Sequence, residues 1–226
     1  MRIHPSLVAL LLLSGSAAGE IDHSLSLSVV QVQAYPASGK VSLGSGVVID
    51  GHRVATNCHI TQRAYKVVVS KGAERFDAVT QRVDVQRDLC ILDAPTMQLP
   101  QAKLGHTEKL KQGETLYLYG YPRAIGVSFS QGKVQSLHPF KRGLIIETSA
   151  DFAEGASGGG IFNDHSELMG LATFFSRGLD RHYYAIPASW IHTLNRSRAE
   201  TIKPLEGLPF WLDFKHLPAF LRKPGH

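Results

Sequence analysis

Several things are scarce in this chain. It has two cysteines, three methionines and two tryptophans among 226 residues, and it has no dense run of Lys or Arg despite a formal net charge of +5. With two cysteines and histidines scattered along the chain, a metal centre is not expected. Without a clustered basic footprint a nucleic-acid partner is not expected either, and the positive charge reads as ordinary surface charge. After the first twenty residues no segment is long and apolar enough to cross a bilayer. Internal repeats and low-complexity linkers are missing. Helical periodicity is convincing in one place only, "PASWIHTLNRSRAE", where Trp190, Ile191 and Leu194 share a face. The composition, 43% hydrophobic and 19% charged, is that of a folded globular protein.

What is present begins with an export pattern. "MRIHPSLVALLLLSGSAAGE" has Arg2 at the front, an apolar run from Leu7 to Leu13 and small residues before Glu20. That is the layout of a secretory signal peptide, expected over residues 1–19, and the apolar run is too short for a stable anchor. The mature protein is therefore expected in the periplasm or secreted. Short β-branched or aromatic runs follow, separated by Gly, Pro, Asp or Asn: "LSVVQVQAY", "SLGSGVVID", "RAYKVVVS", "LCILDA", "ETLYLYGY", "GLIIETS", "GGGIF" and "ELMGLATFF". Many short strands without intervening helices imply a sandwich or closed barrels. The polar stretch "HTEKLKQGE", residues 106–114, can join two halves.

The chemistry concentrates in "DFAEGASGGGIFN", residues 151–163, where Ser157 sits among glycines. A serine hydroxyl is a poor nucleophile unless a base lies within hydrogen-bond reach and a third group holds that base. His59, in "VATNCHI", follows an apolar strand whose end can present it to a cleft. Asp88, in "QRDLCILDA", stands at the mouth of a buried strand. His59, Asp88 and Ser157 thus form a candidate triad.

At these residues the sequence resembles the chymotrypsin-like serine proteases, and more closely their HtrA-like exported bacterial branch. The histidine motif appears as "ATNCHI", the aspartate motif as "DLCIL" and the serine motif as "GASGGG". "GSGVVID", "YGYP" and "YYAIPASWI" match in order, so that the resemblance covers residues 28–195. An α/β-hydrolase elbow is disfavoured by the order of the three residues. The resemblance implies an all-β fold of two six-stranded antiparallel β-barrels with a C-terminal helix. The protease domain would span residues 20–200, with barrels at about 25–107 and 112–188 and a tail at 201–226. It implies His59 and Asp88 on the first barrel, Ser157 on the second, and an oxyanion hole of the Gly155 and Ser157 N–H groups. It also implies polypeptide substrates, no cofactor and no metal; monomer is the default. Residue 156 is Ala where trypsin-type enzymes carry an activating aspartate, so that zymogen switch is not expected. After residue 200 only a short tail remains, and a peptide-binding PDZ domain is not carried over.

Cys58 and Cys90 flank the triad, and two readings stay open: a disulfide bracing His59 against Asp88, or two buried small hydrophobes. Asp151, six residues before Ser157, is either the acidic base of a pocket for Lys or Arg or a solvated loop carboxylate. Phe152, Thr173 and Phe174, with Phe175, are expected at the substrate pocket, and core packing is the alternative for Phe174 and Phe175. The tail "KPLEGLPFWLDFKHLPAFLRKPGH" cannot form one helix because of its prolines. It is expected to brace the barrels, with docking to a partner or membrane surface as the alternative. Two functions follow: a serine endopeptidase, or a catalytically silent protease-like fold that binds peptides or acts as a chaperone module.

Overall fold

The computed structural model describes residues 22–122, 126–176 and 181–222, and the expected signal peptide lies outside them. The first sheet comprises β1 (Val29–Pro36), β2 (Ser42–Asp50), β3 (Arg53–Thr56), β4 (Ala64–Lys71), β5 (Glu74–Ala78), β6 (Thr80–Asp84) and β7 (Leu89–Asp93). Its order is β6-β7-β3-β2-β1-β4-β5. β5 and β6, at opposite ends of this order, are parted by Val79 alone, whose N–H donates to the Asp93 carbonyl at 2.8 Å. One bent segment thus pairs with β4 at one end and β7 at the other, which curls the sheet into a half-barrel.

The second sheet holds β8 (Lys103–Leu104), β9 (Thr115–Gly120), β10 (Ser128–Phe140), β11 (Gly143–Thr148), β12 (Gly160–Phe162), β13 (Glu167–Phe175) and β14 (Tyr183–Pro187). β12 pairs with both β13 and β9, closing an antiparallel barrel of six strands, while β8 adds to β13 in parallel. Two short helices, α1 (Cys58–Thr61) and α2 (Ser189–Leu194), and a last strand, β15 (Glu200–Thr201), which pairs with β6, complete the regular elements among the described residues.

Side-chain alternation explains why two sheets give three cores. Val30, Val32 and Ala34 of β1 face the inside of the first sheet with Val54 and Leu92, whereas Val29 faces the second sheet. β7 is buried at all five positions because both its faces are covered, with Leu92 inside the first sheet and Leu89 and Ile91 at the seam. Leu116, Leu118, Ile146 and Ile161 fill the second barrel. The seam between the sheets is a continuous cluster that includes Val47, Phe162, Leu171, Tyr184 and Trp190.

The strands expected at 42–50 and 167–175 coincide with β2 and β13. The thirteen-residue β10 has no apolar run, since most of its positions remain partly or fully exposed, and only its pairing with β9 and β11 makes it a strand. β14, "YYAIP", is itself a barrel strand. The helix is shorter than its pattern suggests: it ends at Leu194, and Glu200 has already joined the first sheet.

Candidate active site

His59 owes its position to the end of β3. The strand is pinned where the Thr56 hydroxyl donates to the Ser45 carbonyl at 2.7 Å. The chain then turns at Asn57 into the single-turn helix α1, which buries Cys58, Ile60 and Thr61 and leaves the His59 side chain 22% exposed. Asp88 stands just before β7, the strand paired directly with β3, and is fully buried. Its backbone is left-handed, with φ of 57°, where it caps the 3-10 turn Val85–Arg87. A non-glycine residue pays for that conformation, and such strain collects at positions the surroundings over-determine.

The surroundings do so here. The His59 N–H donates to Asp88 Oδ1 at 2.8 Å, and His59 Nδ1 lies 2.7 Å from Asp88 Oδ2. The Asp88 carbonyl accepts from the Asn57 side-chain amide at 3.0 Å and from the Cys58 N–H at 3.3 Å. A carboxylate only accepts, so Nδ1 carries the proton and Nε2 is left with its lone pair. Directly behind, a disulfide joins Cys58 to Cys90 with their Cα atoms 4.9 Å apart, linking the residue before His59 to the strand that follows Asp88.

Ser157 comes from the second barrel, in the loop that leads into β12. Gly158, with φ of +84°, allows that turn, and its backbone leaves no room for a side chain: a Cβ there would meet the Ser45 carbonyl oxygen at 2.0 Å. The Ser157 carbonyl accepts from the Ser45 N–H at 2.7 Å, and the Gly158 N–H donates to Ala172 at 2.7 Å, so the loop is stitched to both sheets. Ser45 does more: its hydroxyl donates to the Gly155 carbonyl and accepts from the Tyr121 N–H, both at 2.8 Å. Gly155 has φ of +94°, which orients this peptide. Among the described residues neither the Gly155 nor the Ser157 N–H is engaged by a protein acceptor. The Ser157 hydroxyl donates to the Thr173 carbonyl at 3.0 Å.

His59, Ser157, Thr173 and Phe174 line one cavity of ≈ 180 Å³, together with Glu154, Phe175 and Trp211. Asp151 and Phe152 lie outside it. Asp151 is exposed and accepts from the Ser130 hydroxyl at 2.8 Å. Phe152 is 8% exposed and packs in the second-barrel core beside Tyr183 and Phe175, with ring centroids at 5.1 and 6.0 Å. Asp151 and Phe152 instead line a separate cavity of ≈ 260 Å³ with Ser130 and Ala156, where the exposed carboxylate keeps its hydration. Phe174 serves both readings: it is 8% exposed in the seam cluster and also walls the cavity.

The tail packs across both sheets. Leu205 and Gly207 bond the backbone and side chain of Gln62, Lys203 accepts from Gln81, and Phe210 is buried against Phe140 and Phe174. Trp211 reaches the site itself, its indole N–H donating to Asp88 Oδ2 at 2.9 Å. Asn57 and Ser45 sit inside the motifs "ATNCHI" and "GSGVVID", but nothing in the sequence pattern assigns Trp211 to the site; its only signal is the excess of aromatic residues in "LPFWLDF". Among the described residues no group of three or more His, Cys, Asp or Glu side chains is placed to hold a metal ion, and no helix is long and apolar enough to cross a membrane.

Known proteins are similar to this chain in sequence and in fold. The chain is 30% identical over 174 residues to the periplasmic pH-dependent serine endoprotease DegQ of Escherichia coli, covering 70% of this chain and 38% of DegQ. It is 31% identical over 144 residues to a probable periplasmic serine endoprotease, DegP-like, of Buchnera aphidicola, covering 58% of this chain and 30% of that protein. The chain thus spans about a third of the length of the curated relatives it matches. In fold it is similar to the Rv3671c protease of M. tuberculosis in its active form, with a TM-score of 0.71 at 20% identity over 82% of this chain and 85% of that one. It is also similar to the HtrA-type protease AlgW with a tripeptide, with a TM-score of 0.69 at 24% identity over 76% and 60% of the two chains. The description of the trypsin-like peptidase domain matches residues 44–171, more than half of the sequence, and the chain belongs to that family.

Proposed function

We propose that the protein is an exported serine endopeptidase that acts on polypeptides through His59, Asp88 and Ser157. The observation that carries this reading is the two-point hold of Asp88 on His59, through the backbone N–H and Nδ1, beside a cavity that His59 shares with Ser157. For the reaction the Ser157 hydroxyl, which donates to the Thr173 carbonyl in this structure, must turn to His59 Nε2. Ser157 Oγ then attacks the scissile carbonyl carbon while Nε2 takes its proton, and the carbonyl π pair moves to oxygen. The unengaged Gly155 and Ser157 N–H groups suit that oxyanion. Its collapse breaks the C–N bond as His59 returns the proton to the leaving amine, which leaves an ester on Ser157. Water repeats the sequence: His59 takes its proton, hydroxide adds to the ester carbonyl, and the serine leaves with the proton restored. Asp88 stays ionised throughout and stabilises the imidazolium.

Export to the periplasm is supported by the leader pattern and by the names of the similar DegQ and DegP-like proteins. The cavity is walled by Phe174, Phe175 and Trp211 and also lined by Glu154, while Asp151 lies outside it. A fluorophosphonate probe tests the reading because it reports nucleophile, base and oxyanion hole together. Labelling of the wild type with none of Ser157→Ala is the expected result. A folded wild type that stays unlabelled would instead favour a silent peptide-binding module.

A further inference from the structure

We propose that Trp211, delivered by the tail, is a positioning residue for the Asp88–His59 pair and the apolar wall of the substrate cleft, so that the active site is complete only when the tail is docked. The inference rests on the endopeptidase reading above. Three contacts on separate sides of one indole support it. Its N–H donates to Asp88 Oδ2 at 2.9 Å, the same oxygen that His59 Nδ1 approaches at 2.7 Å. Its face stacks on Phe174, with centroids 5.0 Å apart and planes 10° from parallel. It meets the His59 ring edge-to-face, with centroids 5.4 Å apart and planes at 88°.

Asp88 is fully buried, so each donor to it substitutes for lost water. The nearby Thr173 hydroxyl does not donate to it: Oγ1 donates to the Leu171 carbonyl at 2.7 Å. Among the described residues Trp211 therefore supplies the one donor to the carboxylate that does not come from His59 itself, and it restrains Oδ2, through which the imidazole is held at Nδ1. The ring simultaneously shields the pair from solvent on the cleft side and, with Phe174, presents apolar surface to a substrate side chain. The tail is held for this task by Phe210 beneath Phe174 and by the backbone bond of Phe210 to the Gln86 carbonyl at 3.1 Å, one 3-10 turn from Asp88.

The test uses Trp211→Phe, which keeps an aromatic ring but has no N–H, and Trp211→Ala, which has neither, with saturation kinetics of fluorophosphonate labelling. Loss of one charge-assisted bond predicts that Trp211→Phe lowers the limiting labelling rate about tenfold at unchanged half-saturation and unchanged fold. Trp211→Ala is expected to lower the rate and also raise half-saturation, because the wall is gone. An unchanged limiting rate in folded Trp211→Phe would overturn the positioning role. Faster labelling of Trp211→Ala would show that the indole obstructs the cleft and would overturn it as well. An activity-independent arm separates this from failure of the endopeptidase reading. The chain has two tryptophans, so its NMR spectrum holds two indole N–H resonances. The Trp211 signal, identified by its loss in Trp211→Phe, is expected to move upfield in Asp88→Asn, and a signal that stays put would rule out the contact. An unlabelled wild type with a moving signal would remove the endopeptidase reading, and the positioning role with it, while leaving the contact itself intact.

Discussion

The Ser157 hydroxyl donates to the Thr173 carbonyl at 3.0 Å, which ties the candidate nucleophile to the strand that walls its own cavity. The side chain of Thr173 is a second junction: Oγ1 donates to the Leu171 carbonyl and accepts from the Asn57 amide at 3.2 Å and from the Ile186 N–H at 3.3 Å. Residue 173 thus links β13 to the peptide that precedes His59 and to β14. Thr173→Val keeps the volume but leaves those buried donors unpaired, which predicts a loss of about 1–3 kcal/mol. Urea unfolding of the variant beside wild type measures it, and an unchanged midpoint would mean that water or a shifted acceptor replaces the hydroxyl.

Asp88→Asn should leave the fold in place and remove most of the reactivity. The side-chain amide can present its NH2 to Nδ1, which then accepts, and the ring proton moves to Nε2, where the base is needed. In the triad mechanism that tautomer error costs about 10⁴-fold. Labelling rate measured alongside near-unchanged circular dichroism is the check. A loss of only a few fold would mean that Asp88 does not set the tautomer.

The Cys58–Cys90 bridge closes a loop with a sequence separation of 32 residues. Chain-entropy arithmetic for a loop of that length gives about 3–4 kcal/mol. For a domain of this size the double variant Cys58→Ala/Cys90→Ala should therefore melt about 10 °C lower. Because the bridge ties the residue before His59 to the strand that follows Asp88, the variant should lose labelling rate at temperatures well below its melt. Equal melting temperatures with and without reductant in wild type would show that the bridge contributes nothing.

How far the sequence foretells this site depends on the distance over which each contact acts. "ATNCHI", "DLCIL" and "GASGGG" are local patterns whose backbone demands are severe, such as the positive φ and crowding at Gly158, and so they can be read directly. β2 and β13 are legible because both their faces are covered, and they keep long apolar runs. β10 is not, since its residues stay largely at the surface and its strand identity comes from neighbours. Trp211 is illegible for a different reason. It meets Asp88 across 123 residues of sequence, and an aromatic residue in a proline-broken tail is equally consistent with plain core packing. The pocket-base reading of Asp151 rests on a residue count alone, and a count does not say which cavity a loop carboxylate lines.

Glu147 couples the tail to acid. On β11 it accepts from His138 Nε2 of β10 and from His182 Nδ1 just before β14, both at 2.7 Å, and the His138 ring stacks on Phe220 of the tail at 4.4 Å. The hydrogen bond from His138, opposed by burial and helped by the bond from His182, brings the Glu147 carboxyl from its ordinary 4.5 down to about 2. A carboxyl depressed in the folded state stabilises the fold above its unfolded value, and that stabilisation drains away as pH falls through the folded one. Unfolding free energy of wild type should therefore decline between about pH 4.5 and about pH 2 more steeply than that of Glu147→Gln. At pH 6 the variant should be the less stable by about 1–3 kcal/mol, having lost two charge-assisted bonds while keeping the shape. The two curves should converge near pH 2, where Glu147 of the wild type is itself neutralised. Denaturant titrations across that range decide the matter, and a gap that stays constant with pH would assign the contribution of Glu147 to packing instead of charge.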